Sequence, residues 1–266
     1  MSPSSEDLDQ VRRVLAGEQR YACILGDGFA LARVLRDSAV DHVIGDPPYD
    51  EKTHKGARTN KKGTNGVHDI DFAPLPPVDT FLSDLLRCSK RWVILFCAQR
   101  MFKEYEDAAG DAWIRDGLWV RTNGTPQKTG DRPAQGAEGI AIMHRVGRKQ
   151  WNGGGRPAVW TGPICADPTR RHKTKKPRWL MEALLRDFAQ PGEVVYDPTM
   201  GEATTGEACL RLGLRFIGCE IDPEKHQWAV ERMRRAAACG VQMTLPVRDK
   251  RMKQEVVHKP KAVSFG

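Results

Sequence analysis

No stretch of this chain approaches the roughly 20 consecutive apolar residues of a membrane-spanning helix, which excludes a helical integral membrane protein. The first ten residues, MSPSSEDLDQ, lack the apolar centre of a secretory leader, so the chain is expected to stay in the cytoplasm. Paired cysteines are missing as well. The seven present (Cys23, Cys88, Cys97, Cys165, Cys209, Cys219, Cys239) are odd in number, scattered, and nowhere spaced as C-x-x-C, which excludes the usual zinc and dithiol patterns. Several sit in apolar runs such as VILFCA and FIGCEI, as buried thiols in a reducing compartment do. No metal is expected. Acidic residues are in deficit, 34 Asp and Glu against 42 Lys and Arg, and the net charge of +8 favours a polyanionic partner. The G-x-G-x-x-G pattern is also absent, which counts against a dinucleotide, whose pyrophosphate needs close backbone approach.

What is present is enough for a sizeable core: 266 residues, 40% of them apolar. Residues 6–19 have a helical texture and YACILGD reads as a strand. FALARVLRD carries Phe29, Leu31, Ala32 and Leu35 at helical spacing, and VDHVIGD is the next strand. This strand–helix–strand unit recurs in VDTFLSDLLRCSK and RWVILFCA, where the apolar run 93–98 predicts a central strand covered on both faces. GLWVRTNG and GIAIMHRV read as two further strands, and RKQWNGGGRPAVWTG as irregular chain. PRWLMEALLRDFAQPG is a marked helix, with Pro177 at its start and Gly192 beyond its end. EVVYD, TTGEACLRLG, RFIGCEID and PEKHQWAVERMRRAAA continue as strand, helix, strand, helix, and the tail from 245 is polar and basic.

Positive charge is concentrated in two places. Lys52, Lys55, Arg58, Lys61 and Lys62 crowd one Gly-containing loop, and Arg170, Arg171, Lys173, Lys175, Lys176 and Arg178 form a second cluster. Each is either a nucleic-acid contact or a solvated surface. The first loop has almost no apolar residues, so it is expected to be mobile until it meets its partner.

Two strand ends carry acids in unusual company. VVYDPTMGEATTGE delivers Asp197 to a turn, with Gly201 behind it and a helix beginning near Thr204; the following strand ends at Glu220. In doubly wound folds an acid at Glu220's place accepts hydrogen bonds from ribose hydroxyls. The competing reading is a pair of ordinary strand-end turns. DPPY at 46–49 ends the strand VDHVIG. Pro-Pro can simply stop a strand, but ligands of open α/β sheets bind beyond the carboxyl ends of strands, where both Asp46 and Asp197 fall.

DPPY at 46–49, HKTKKP at 172–177 and DPTMGEATT at 197–205 together resemble the three signatures of the S-adenosylmethionine-dependent DNA amino-methyltransferases. Their order, catalytic signature first and cofactor signature last, is similar to that of the permuted beta class, as is GDG at 26–28. The resemblance covers roughly residues 20–240. It implies an α/β, Rossmann-like methyltransferase fold: a mixed, mostly parallel sheet of seven strands with helices on both faces. It also implies how DPPY works. The Asp46 carboxylate and the Pro47 carbonyl accept the two N–H bonds of an exocyclic amine, and Pro47 and Pro48, with φ locked, fix that carbonyl. Tyr49 offers a face to the extruded base. Methyl transfer then proceeds in line, by positioning and electrostatics.

The cofactor residues that the resemblance implies are Asp27, His172, Thr174, Lys176, Asp197, Thr199, Met200, Gly201, Thr204 and Glu220. Lys176 is cast as counter-charge to the cofactor carboxylate, and Asp27 as the acid near the adenine amino group or, equally, a helix cap. Thr199 stands where the family pattern DPF-x-G-x-G has its aromatic, with Met200 as the substitute, and Ala203 stands at the second glycine. The DNA contacts expected are Lys52, Lys55, Arg58, Lys61, Lys62, Arg170 and Arg171. His42, His144, His226 and His258 have no partner spacing and read as structural or exposed; Trp151 and Trp160 either stack on bases or fill a core.

The expected protein is one methyltransferase domain over 1–245, with a target-recognition insert at about 119–165, a basic loop at about 51–67 and a basic tail at 246–266. Its partner is double-stranded DNA in a prokaryotic or phage setting, with a homodimer compatible and no membrane. In the family DPPY goes mostly with N6-adenine, while many cytosine-N4 enzymes carry Ser in place of the aspartate. The alternatives are N4-cytosine methylation, RNA as substrate, or a decayed scaffold that only binds nucleic acid.

Overall fold

The alternation of apolar runs and amphipathic segments becomes, in a computed structural model, eight strands and seven α-helices among the described residues, which are 3–49, 76–124, 126–127, 129–145, 147–164 and 175–241. The strands are β1 Tyr21–Leu25, β2 His42–Gly45, β3 Trp92–Cys97, β4 Trp113–Arg121, β5 Ala137–His144, β6 Val159–Gly162, β7 Val194–Asp197 and β8 Arg215–Glu220. The helices are α1 Ser5–Ala16, α2 Gly28–Val34, α3 Val78–Cys88, α4 Phe102–Ala109, α5 Arg178–Phe188, α6 Thr204–Arg211 and α7 Pro223–Cys239. The sheet runs β1-β8-β7-β2-β3-β5-β4-β6. β5 is antiparallel to both its neighbours, and the other pairings are parallel.

Residues alternate between the two faces of a strand, so each face needs its own cover. Val43, Val93 and Leu95 pack with Val11, Val14, Leu31, Leu82 and Tyr105, which puts α1 to α4 on one side. Ile44, Ile94 and Phe96 pack with Leu184, Leu185, Leu210 and Met233, which puts α5 to α7 on the other. β3 is buried along its whole length, as its unbroken apolar run predicts. Each such Leu, Ile or Phe contributes roughly 1.5–3 kcal/mol by leaving water. Helix ends follow local chemistry. Ser4 and Asp7 form a capping box on α1, and Asp222 caps α7 just ahead of Pro223.

The sheet has eight strands, where the family pattern implies seven. The eighth, β6, lies inside the segment that reads as irregular. Its four residues alternate exposed and buried, too short a run to stand out behind Gly153, Gly154, Gly155 and Pro157. It becomes a strand by pairing with β4, from Leu118↔Val159 to Arg121↔Gly162. The two tryptophans of this segment serve the core: Trp160 is buried and Trp151 lies 4.9 Å from the Phe188 ring.

Parallel order puts the carboxyl ends of β1, β8, β7, β2 and β3 along one rim of the sheet, and the reversed β5 brings its first residues to the same rim. From β2 the chain proceeds outward through α3 to β3. From β7 it proceeds the opposite way through α6 to β8. The neighbours β2 and β7 therefore flank a topological switch point, where an open α/β sheet leaves a crevice for a ligand. Asp46 and Asp197 stand on its two lips.

Candidate active site

β7 is fully buried and ends in Asp197, whose carboxylate accepts from the Thr199 N–H at 3.0 Å and so tightens the turn after it. The Thr199 hydroxyl then accepts from the Asp46 N–H at 3.2 Å. The residue that departs from the family aromatic is thus a tie between the two acid-bearing loops. Met200 is buried, with its sulfur against Gly218. Burial pushes the Asp197 carboxyl up to about 7, against the opposing hydrogen bonds from Thr205 and the Thr199 backbone.

The next shelf along the rim is built from glycines and Glu220. Gly201, at φ 53, sends its N–H to Glu220 Oε2 at 3.0 Å, and the Asp222 N–H reaches Oε1 at 2.9 Å. Each carboxylate oxygen keeps lone-pair capacity beyond that bond. Beside it Ile221 and Leu25 are 57% and 40% exposed, apolar surface left open next to an acid. Gly28 brings the start of α2 close to the same turn: a Cβ there would lie 2.1 Å from the Pro198 carbonyl oxygen. Asp27 caps α2, accepting from the Phe29 N–H at 2.8 Å, the helix-cap reading of that residue. Ala203 takes φ 56, the left-handed conformation that a glycine would adopt without strain.

On the other lip the Asp46 carboxylate meets two partners, Lys176 and Tyr49, both shared with Glu138. Lys176 Nζ donates to Asp46 Oδ2 at 2.7 Å and to Glu138 Oε1 at 2.8 Å. The Tyr49 hydroxyl lies 3.2 Å from Asp46 Oδ1, contacts Glu138 Oε1, and accepts from Lys176 at 3.5 Å. The ammonium also sits 4.9 Å from the centre of the Phe96 ring. Lys176 reaches this place because it directly precedes Pro177, the extended N-cap residue of α5. Lys176 therefore stands with the DPPY cluster, its N–H groups directed at Asp46, Glu138 and Tyr49.

Sequence reading missed Glu138. It is the second residue of the reversed strand β5, and a Cβ on the neighbouring Gly139 would lie 2.8 Å from the Cys97 carbonyl, so β5 presses close on β3 and sets Glu138 beside Asp46. The available signal was a lone acid heading the apolar run GIAIMH. Charges in the cluster shift one another. Burial raises the Asp46 carboxyl, with Glu138 adding to the rise and Lys176 opposing it; a third of the side chain is still open to solvent, which moderates the effect. Burial would raise Glu138 too, but Lys176 and Tyr49 outweigh it and hold it below the usual carboxylate range. Burial works against the Lys176 charge, and the two carboxylates more than restore it.

Lys52, Lys55, Arg58, Lys61, Lys62, Arg170, Arg171, His172 and Thr174 lie outside the described residues, as do Cys165, His258 and the C-terminal tail. Among the described residues no group of His, Cys, Asp and Glu is arranged to hold a metal ion. No helix there is long and apolar enough to cross a membrane. Cys88, Cys97, Cys209 and Cys219 are buried free thiols, while Cys239 is exposed. His42 is buried on Glu193 at 2.7 Å, far from the rim.

A carboxylate and Pro-Pro stand at one lip of the crevice and face an acid–glycine shelf at the other, the arrangement of a ligand-binding switch point in an open α/β sheet. The chain belongs to the N6/N4 DNA methylase family, whose model matches residues 40–231, and it is an S-adenosylmethionine-dependent DNA methyltransferase. It is similar to the Type II methyltransferase M2.DpnII of Streptococcus pneumoniae, 25% identical over 254 residues that cover 82% of this chain and 90% of that one. It is also similar to the Type II methyltransferase M.HinfI of Haemophilus influenzae, 26% identical over 241 residues, 79% of this chain and 67% of that one. Among solved structures, the M1.HpyAVI–S-adenosylmethionine complex shares the fold with a TM-score of 0.62 at 21% identity, over 80% of this chain and 98% of that one. The cytosine-N4-specific PvuII DNA methyltransferase does so with 0.63 at 16% identity, over 80% and 86%.

Proposed function

We propose that this methyltransferase modifies the N6 amino group of an adenine extruded from duplex DNA. The observation that carries the reading is Asp46 itself: an aspartate, followed by two prolines, on the lip of the switch-point crevice and 2.7 Å from a buried ammonium. The target nitrogen is a poor nucleophile because its lone pair is delocalised into the ring. Asp46 and the Pro47 carbonyl each accept one N–H and turn the remaining lone pair toward the sulfonium methyl group. Little else is asked of the protein than positioning and a suitable field. Tyr49, held at its hydroxyl, presents its ring to the base.

Across the crevice Glu220 takes the ribose hydroxyls, with Gly201 and Asp222 orienting its carboxylate, and Ile221 and Leu25 offer apolar surface beside it. Asp197, Thr199, Met200 and Thr204 shape the floor, and Asp27 lies at the adenine end. His172 and Thr174 complete the cofactor side, while Lys176 acts in the catalytic cluster. Lys52, Lys55, Arg58, Lys61, Lys62, Arg170 and Arg171 engage the phosphates.

The test is product identity. DNA from a host without methylases is incubated with the protein and methyl-tritiated S-adenosylmethionine, digested to nucleosides and separated. Label in N6-methyldeoxyadenosine is expected. Label in N4-methyldeoxycytidine would select the second reading, which the likeness to the PvuII enzyme supports, because the same acceptor pair suits either amine. No label, with no calorimetric heat of S-adenosylmethionine binding, would mean a decayed scaffold.

A further inference from the structure

Transfer moves a positive charge from sulfur to nitrogen and leaves a proton to dispose of. We propose that Glu138 is a positioning residue of this reaction: by sharing the Lys176 ammonium with Asp46, it keeps Asp46 able to take the proton that the methylated nitrogen must lose. The inference rests on the assignment of Asp46 above; Glu138 itself lies outside every signature in the sequence.

The amino nitrogen's lone pair forms the N–CH3 bond, the S–CH3 bond breaks with its electron pair left on sulfur, and the nitrogen becomes cationic. One N–H proton then passes to the Asp46 carboxylate, giving a neutral base, a carboxylic acid and the thioether. The acid returns its proton to water through the third of its side chain that is exposed. Were Asp46 paired with Lys176 alone at 2.7 Å, the opposite charge would hold its pKa down and make it a weak base. Glu138 changes this balance. Its oxygen lies 2.8 Å from the same nitrogen, so the ammonium is divided between two carboxylates.

The cluster of Asp46, Glu138 and Lys176 carries one net negative charge, complementary to a cation developing on the base. The other groups facing Asp46 do not replace Glu138. Tyr49 and Thr199 are neutral hydroxyls, Cys97 and Tyr105 are buried and held protonated, and Asp197, across the switch point, makes no hydrogen bond to Lys176. Glu138 also fixes the Tyr49 hydroxyl, so a purely structural pin is the rival to be separated.

The experiment compares single-turnover methylation of methylase-free genomic DNA, across pH 5 to 9, for the parent chain and its Glu138→Gln, Glu138→Asp and Asp46→Ala variants. Folding is checked by thermal melting. Glu138→Gln keeps the shape and removes the charge. Its plateau rate is expected to fall on the order of 10-fold, its acid limb to move down by about one pH unit as Asp46 becomes a weaker base, and S-adenosylmethionine affinity to stay within about twofold. Glu138→Asp restores the limb toward that of the parent. A parental rate and limb in Glu138→Gln overturns the proposal. So does a lowered rate with an unmoved limb that Glu138→Asp does not rescue, the behaviour of a mere pin. Asp46→Ala separates the two levels: turnover persisting there sinks the assignment of Asp46 and the proposal with it. A dead Asp46→Ala beside a parental Glu138→Gln removes the role of Glu138 alone.

Discussion

Two carboxylates, Asp46 and Glu138, lie 2.7 and 2.8 Å from one ammonium, and a third, Asp197, is buried on the opposite lip. For Asp197 the cost of burial is the larger effect, and its sign is testable. The unfolded chain ionises near 3.8, whereas the folded carboxyl holds its proton up to about 7. The folded state is therefore favoured at low pH and loses that advantage as pH rises through about 7. Asp197→Asn, which cannot ionise, is expected to gain on the parent by about 2–3 kcal/mol between pH 5 and pH 8 in the cofactor-free protein, at 1.36 kcal/mol per unit. Urea unfolding at the two pH values measures this, and a constant difference would show that Asp197 is ionised throughout. Glu220→Ala bears on the other end of the cofactor. Hydrogen bonds to a charged acceptor contribute about 1.5–3 kcal/mol, so the dissociation constant for S-adenosylmethionine should rise about 10-fold or more. An unchanged calorimetric value, with the fold intact, removes the ribose role.

Elements with strong periodicity are legible in the sequence alone. α5 carries Leu180, Leu184, Leu185 and Phe188 on one face, β3 is an unbroken apolar run, and both form where the pattern puts them. β6 was not legible, because four residues have too little pattern of their own and depend on a partner strand. What holds β6 is tertiary: Trp160 donates from Nε1 to Asp187 Oδ2 at 2.9 Å, Arg156 pairs with the same carboxylate, and Asn152 Nδ2 donates to the Arg186 carbonyl at the end of α5 at 2.8 Å. Trp160→Phe would leave a buried carboxylate oxygen without its donor and lose indole volume. The expected destabilisation is about 1–3 kcal/mol, read as a lower urea midpoint, with little effect on cofactor affinity since Asp187 lies away from the rim. A parental midpoint would mean that Arg156 alone satisfies Asp187.

At the scale of the molecule, ion pairs join the cofactor turn to the approach to α5. Glu202, buried just after Gly201, meets Arg232 at 2.8 Å and Lys175 at 3.5 Å; Arg232 and Arg178 share Glu207; Arg178 and Arg211 share Glu182. Lys175 adjoins Lys176, so the two lips of the crevice are coupled through charge as well as through Thr199. The net charge of +8 has a consequence on the same scale. Each phosphate contact releases about one counterion, so changing Lys55, Lys61 and Lys62 together to Ala should flatten the slope of log DNA affinity against log salt by about two to three. Binding titrations from low to moderate salt check it, and an unchanged slope removes these lysines from the DNA contact.

The sequence by itself determined the reaction class through the resemblance that DPPY, HKTKKP and DPTMGEATT carry to the amino-methyltransferase signatures; acids at strand ends alone also fit ordinary turns. It also determined the order of most strands and helices, because burial imposes a period that can be read locally. The tertiary structure decided which charges share a site. Glu138 is 92 residues from Asp46 and Lys176 is 130. Only the reversal of β5 against β3 and the packing of α5 under the sheet bring the three within hydrogen-bonding reach. Local propensity carries no information about that meeting; it is settled by how two buried faces of one sheet are covered.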